Sequence, residues 1–301
     1  MSAWSAGTPS TRPDPAATPA ATPAATASAV PLEAWIDSVA LIGPGLADWT
    51  AAREVLCGAQ PYRAAATTAT LPPILPPAER RRTSLAVRIA LAVGYQAIGG
   101  SSFPAERLVS VFASSGGDGL TCHLICEALS QEDRLVSPTH FHNSVHNAPS
   151  GYWGIAMRAT PASTSLCGYD ASFGAGLLEA MTQMAATRSP VILIAYDAPY
   201  PEPLHACRPV ADAFGLALVL SPHATGKSAL RMSLTLDQAD ATPMHDSALE
   251  TMRRRIPTAC ALPLMQAIAR QQSGTVVLDY LEPLDASSAP VRLRLELASR
   301  P

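Results

Sequence analysis

Beyond residue 30 the chain divides into short apolar runs and longer amphipathic stretches, separated by turns that carry Gly or Pro. Leu32 to Ile42 alternates loosely between apolar and polar positions and ends at Gly43-Pro44-Gly45, which predicts a strand and a turn. Trp49 to Leu56 predicts a short helix, and Pro72-Pro73 with Pro76-Pro77 hold Ile74-Leu75 in an extended connection. The strongest helical period runs from Ala78 to Ile98, where Arg80, Arg81 and Arg82 precede an apolar stripe of Leu85, Ile89 and Val93. Leu108 to Ala113 predicts a buried strand, stops at Ser114-Ser115-Gly116-Gly117-Asp118-Gly119 and leads into a helix over Leu120 to Leu129. Ala175 to Ala186, rich in Ala, Leu and Met, predicts another helix.

Pro190 to Tyr196 (P-V-I-L-I-A-Y) and Ala213 to Leu220 (A-F-G-L-A-L-V-L) are almost continuously apolar, the pattern of strands covered on both faces. Helices alternating with such strands predict an α/β fold with a largely parallel sheet. After Ser221 the signal weakens. Leu230 to Leu236, Gly274 to Leu281 and Val291 to Leu297 predict strands, and Leu249 to Arg255 and Leu262 to Arg270 predict helices. This last part either completes the main sheet or forms a reduced second unit. The expected organisation is a tail over 1–30, a principal domain over 31–225 and a shorter α+β portion over 226–301.

Composition narrows the class. Of 301 residues 48% are hydrophobic and 15% charged, but only 5% aromatic, so the core has to be built from Ala, Leu, Val and Ile. A net charge of -3, with Lys227 the only lysine, offers no basic surface to nucleic acid or to an anionic membrane. Residues 1–30 are mainly Ala, Pro, Thr and Ser; they cannot bury enough surface to offset their ordering entropy, which predicts a disordered tail. That tail has neither the basic start and apolar stretch of a secretory signal nor the arginines of a transit peptide. No run reaches about 18 apolar residues, so no membrane span is expected, and the protein is read as cytoplasmic. Cys57, Cys122, Cys126, Cys167, Cys207 and Cys260 form no C-x-x-C pair and are expected to be reduced and mostly buried, Cys122 and Cys126 on one helix face.

Candidate chemistry gathers between Ser137 and Met157 (S-P-T-H-F-H-N-S-V-H-N-A-P-S-G-Y-W-G-I-A-M) and in the stretch behind it to Ala180. His140, His142 and His146 could hold zinc if brought to one side, yet no nearby Cys or carboxylate completes four ligands. The plainer reading has these imidazoles bonded to backbone at a subunit interface or tunnel wall, with no metal and no cofactor. Ser172 with His142 or His146 and Asp170 or Asp197 supplies the residue types of a hydrolase triad, but without a G-x-S-x-G elbow. Cys167 with His146 supplies those of a Cys-His acyltransferase. Asp197 is otherwise a cap for the loop after its strand, and Tyr152 and Trp153 are core or interface anchors. The loop at 114–119 matches neither the dinucleotide fingerprint nor the P-loop, which favours a tight turn over a phosphate cradle.

Asn147-Ala-Pro-Ser-Gly151, a strand-like Gly151-Tyr-Trp-Gly-Ile-Ala156, Thr160-Pro161 and a small-residue segment entering an Ala-rich helix together resemble the N-terminal half of β-ketoacyl synthases. The strand V-I-L-I-A-Y-D-A, the segment Asp212 to Ser221 and the L-P-P-A-E-R-R-R approach to the first long helix are similar to that family too, over roughly residues 31 to 221. The resemblance implies a thiolase-like layered fold with a largely complete first half and an abbreviated second half. A condensing synthase of this family needs a nucleophilic Cys at a helix N-terminus, where the dipole lowers the thiol pKa and amides hold the oxyanion. It also carries two histidines, in H-G-T-G-T and G-H-x-x-G-A-A-G contexts. Here the elbow reads Ser165-Leu-Cys-Gly-Tyr-Asp-Ala-Ser172. Counting from Thr160-Pro161 puts the nucleophile's position near Tyr169, anchoring on the following helix puts it at Ser172, and Cys167 falls early by either count. After residue 221 only His223 and His245 remain, in neither context.

The resemblance therefore implies a non-condensing, chain-length-factor-like subunit of fatty acid, polyketide or aryl polyene assembly. It is similar as well to shorter synthase-like proteins with an F-H-N-S-V-H-N stretch. Such a subunit would dimerise through the strand near Ala162 to Leu166, with an active ketosynthase or with itself, and would be visited by an acyl carrier protein. His140, His142, Asn147, Tyr152, Trp153, Tyr169 and Asp170 would then line the tunnel or the interface. The rival reading is a stand-alone acyltransferase or thioester hydrolase using Cys167 or Ser172.

Overall fold

The computed structural model describes residues 31–228, 230–283, 285 and 287–300; the tail expected over residues 1–30 lies outside them. The strands are β1 (Leu32–Ile42), β2 (Val109–Ala113), β3 (Ser163–Leu166), β4 (Val191–Asp197), β5 (Phe214–Ser221), β6 (Leu230–Asp237), β7 (Gly274–Leu281) and β8 (Val291–Ser299). The helices are α1 (Trp49–Leu56), α2 (Pro77–Arg82), α3 (Leu85–Gly100), α4 (Gly119–Ser130), α5 (Pro138–Asn143), α6 (Ala148–Met157), α7 (Ser172–Thr187), α8 (Leu204–Cys207), α9 (Ser247–Arg255) and α10 (Leu262–Ala269). No described helix is long and apolar enough to cross a membrane.

All eight strands form one sheet in the order β3-β2-β4-β5-β1-β6-β8-β7. Only the pairings of β2 with β3 and with β4 are parallel; the rest are antiparallel, so the largely parallel sheet expected from the apolar strands is corrected. Parallel neighbours need a long crossover. The stretch between β4 and β5 holds only the four-residue α8 and turns the chain back instead. Full burial of β4 and β5 has another cause: helices cover both faces. Ile192, Ile194, Tyr196, Ala217 and Val219 pack with α3, while Val191, Leu193, Ala195, Leu216, Leu218 and Leu220 pack with α7 and α10. The two-residue period of a strand sends alternate side chains into two separate cores.

Small residues let α7 approach closely. A Cβ on Gly176 would stand 2.7 Å from the Ala113 Cβ and 2.9 Å from a Leu193 methyl, and one on Gly174 would stand 2.6 Å from the Tyr280 ring. The late strands extend the same sheet. Leu293, Leu295 and Leu297 of β8 enter the α7 core with Val276 and Leu278 of β7, while Arg294 on the other face bonds Asp237 at 2.7 Å and Glu296 at 2.9 Å. Such alternation suits antiparallel strands with one face toward water.

Two local expectations change. The single helix predicted from Ala78 to Ile98 is two, because Thr83 is extended and the Ser84 hydroxyl caps α3 by accepting from the Val87 amide at 3.3 Å. The strand-like Gly151 to Ala156 lies inside α6, which starts with a proline near its N-terminus. Tyr152 and Trp153 are both buried there, against α3 and β2. A short apolar run does not separate strand from helix by periodicity alone.

Near the C-terminal end, Glu250 accepts from Arg253 at 2.8 Å and from Arg254 at 2.6 Å, and Arg253 also bonds Asp279. The hydrogen bond from Arg253 holds the Glu250 carboxyl down at about 2, below its ordinary 4.5. The unfolded chain takes up this proton first as pH drops, so the stability Glu250 contributes is complete above 4.5 and is lost as pH falls toward 2. Thermal melts against pH should show Glu250→Gln flattening this acid limb; an unchanged limb would remove Glu250 from its cause.

Candidate functional site

The site is built on the turn from β3 to α7. After Leu166 the chain passes Cys167 and Gly168, makes a 3-10 turn over Tyr169–Ala171 and enters α7 at Ser172. Tyr169 has φ of 54°, in the left-handed region, where a non-glycine residue costs roughly 1–2 kcal/mol. Local bonds hold it there. The Gly168 amide donates to the Ser172 hydroxyl at 2.9 Å, and that hydroxyl donates to the Tyr169 carbonyl at 2.7 Å. Ser172 is thus a buried lock on the turn. The Tyr169 ring faces outward under the Arg208 guanidinium, 3.6 Å from its centroid, and Arg208 also bonds Asp170 at 2.7 Å. A cation over an aromatic face gains about 0.5–1 kcal/mol at exposed sites.

Facing this turn is the loop from β2 to α4. Its Ser115 amide donates to Asp197 at 2.9 Å, and its Gly117 amide to the Ser114 hydroxyl at 2.9 Å. The other Asp197 oxygen accepts from the Thr258 amide at 2.8 Å and the Thr258 hydroxyl at 2.6 Å. Burial pushes the Asp197 carboxyl above its ordinary range, while these donors pull it back. The loop is no phosphate cradle. A Cβ on Gly116 would lie 1.5 Å from the Tyr200 hydroxyl oxygen and one on Gly119 would lie 2.1 Å from the Tyr200 ring, so that ring fills the space above both glycines. The Asp118 carboxylate already caps α4 by accepting from the Thr121 amide at 3.0 Å.

The histidines disperse. His140 and His142 lie on α5, where His142 meets Tyr152 edge to face at 6.0 Å between ring centres. Asn143 donates to the Arg82 carbonyl at 2.7 Å and accepts from the Tyr152 hydroxyl at 3.1 Å. His146 comes instead to the β2–α4 loop, next to Gly117, and Asn147 is exposed at the start of α6. Cys167 is exposed and donates its Sγ–H to the Ser115 carbonyl at 3.3 Å. Among the described residues no hydrogen bond joins Cys167 or Ser172 to a histidine, and no three His, Cys, Asp or Glu side chains converge as a metal site. The expectation of mostly buried cysteines is also corrected: of the six, Cys260 alone is buried. Sequence reasoning missed Arg208, Tyr200 and Thr258; Arg208 lies 38 residues from its partner Asp170, with no motif to join them.

The family model of the β-ketoacyl synthase N-terminal domain matches residues 49–280, most of the chain. The chain belongs to the β-ketoacyl synthase family. Solved structures agree on the fold of this synthase-family chain. A chain of the ketosynthase ApeO in complex with its chain length factor ApeC, from Xenorhabdus doucetiae, superposes with TM-score 0.65 at 20% identity, covering 88% of this chain and 99% of that one. The ishigamide ketosynthase/chain length factor gives 0.62 at 12% identity, covering 88% and 99%. AntDE:AntF, a type II polyketide acyl-carrier protein in complex with its ketosynthase, gives 0.64 at 10%, covering 90% and 100%. No curated protein matches the chain. The architecture is thiolase-like, as expected, with a second half too short to repeat the first.

Replacing Asp197 by Ala strands the Ser115 and Thr258 donors out of water. Each buried unpaired group costs about 1–3 kcal/mol, so a total loss of about 3 kcal/mol or more is expected from urea unfolding. A loss under about 1 kcal/mol would mean that the carboxylate does not hold these segments together.

Proposed function

We propose that this synthase-family chain is a non-condensing, chain-length-factor-like subunit of acyl-chain assembly, of the fatty acid, polyketide or aryl polyene kind. It acts in the cytoplasm beside an active ketosynthase and an acyl carrier protein, with residues 31–225 as the synthase-like domain and 226–301 completing it. The observation that carries this reading is the β3–α7 turn. Its left-handed residue is Tyr169, a phenol that forms no thioester, covered by Arg208. Cys167 stands on the strand side of the turn with its sulfur directed at a carbonyl, away from the helix start where a dipole would favour a thiolate. Ser172 does stand at the helix start, but its hydroxyl is bonded on both sides.

The surface supports the pairing. Among the described residues β3 pairs with β2 alone, which leaves its other strand edge open. Of the neighbouring helices α6 packs against β3 and exposes Ile155, while Leu120, Phe141 and Val145 are exposed on α4, on α5 and in the α5–α6 connection. Exposed apolar side chains and an open strand edge suit a second subunit that continues the sheet. The solved relatives named above include ketosynthases with a chain length factor and one with an acyl-carrier protein, the same kinds of partner.

Reconstitution with a ketosynthase, a carrier protein and a malonyl donor tests the role. Elongation should require the ketosynthase and survive Cys167→Ala in this chain. Elongation by the isolated chain, or its loss with Cys167→Ala, would favour the acyltransferase reading instead. Ile155→Asp and Phe141→Asp, both at exposed positions, should weaken subunit pairing by roughly tenfold or more while leaving the melting temperature of the free chain near its original value. Unaltered pairing would place the contact on another face.

A further inference from the structure

We propose that one buried water molecule binds between the His146 imidazole and the Tyr196 hydroxyl, and that it fastens the α5–α6 connection to the end of β4. Tyr196 is fully buried, yet among the described residues its hydroxyl has no partner, and the buried Nε2 of His146 has none either. The two atoms are not scattered orphans. Both residues line the same small cavity, walled also by Gly117, Asp118, Asn143 and Val145. Its volume of about 10 Å³ is the room one water needs, and too little for an organic ligand.

The chemistry of the walls selects water. Buried polar groups are almost always bonded, and leaving one unpaired costs more than a made bond contributes. A neutral imidazole accepts at Nε2 when Nδ1 carries the proton, and a phenol both donates and accepts. A water can donate to Nε2 and bond the phenol in either sense, meeting both demands at once. An anion is disfavoured by the Asp118 carboxylate on the same wall, and an apolar occupant would leave both atoms unpaired. Gly117 keeps the space open. Its φ of 63° suits glycine, and a Cβ there would stand 3.2 Å from the His146 ring.

The bridge reaches across the fold. His146 belongs to the connection carrying exposed Val145, Gly117 to the β2–α4 loop, and Tyr196 to the central strand one residue before Asp197. The direct bond from Asn143 to the Arg82 carbonyl anchors the same connection at its other end. The proposal rests on this packing alone and stands or falls apart from the role in acyl assembly.

Urea unfolding of Tyr196→Phe, His146→Leu and the double variant tests it. Each single variant should lower the midpoint, and the double should fall no further than the worse single, because both remove one shared bridge. If Tyr196→Phe leaves the midpoint unchanged or raises it, as deleting an unbonded hydroxyl would, or if the two losses simply add, the bridge is overturned. Should a variant fail to fold, a high-resolution crystal structure of the unaltered protein decides. A water peak within hydrogen-bond distance of both atoms is expected, and a dry cavity would overturn the proposal.

Discussion

The Asp197 carboxylate lies out of water at the end of β4, and every donor it needs comes from elsewhere in the chain. Ser115 reaches it from the β2–α4 loop and Thr258 from the segment between α9 and α10. An unpaired carboxylate in that place would be costly, so these donors tie both segments to the end of β4. The rest of the site follows from that junction. With the β2–α4 loop fixed, Tyr200 packs onto Gly116 and Gly119, the Ser115 carbonyl meets Cys167, and His146 comes up against Gly117.

The β3–α7 turn faces this junction and holds a non-glycine residue in the left-handed region. The left-handed residue survives as Tyr169, because Ser172 ties the turn from below and Arg208 stacks on the ring from above. Strain of this kind lasts only where neighbouring bonds over-determine it. Here it holds geometry, and no thiol is supplied at the helix start. Among the described residues the sheet ends at β3, and Leu120, Phe141, Val145 and Ile155 leave apolar side chains toward solvent on α4, α5, α6 and the α5–α6 connection.

Much of the fold was legible because strong local signals coincided with the real elements. The apolar runs that became β4 and β5, the Ala-rich α7 and the amphipathic α9 and α10 all follow the periods that place them. Strand direction was not legible, since burial on both faces looks the same in parallel and antiparallel sheets once α3 and α7 cover them. Gly151 to Ala156 misled because a run this short fits either period, and the proline at the start of α6 was the weaker cue. At the site, counting toward the nucleophile's position gave two answers, Tyr169 and Ser172. Their difference lies in a backbone angle and a hydroxyl's partners, which no spacing encodes. Arg208 and Thr258 could not be found at all, because they meet Asp170 and Asp197 only through the folded topology.

The central claim is that this chain keeps the synthase turn without a working thiol. Intact-mass analysis of the purified chain after incubation with an acyl-carrier thioester, followed by peptide mapping, reads this directly. No acyl adduct on Cys167, Tyr169 or Ser172 is predicted, even when a ketosynthase mixed into the same sample is acylated. A stoichiometric acyl adduct on Cys167 of the isolated chain would contradict it.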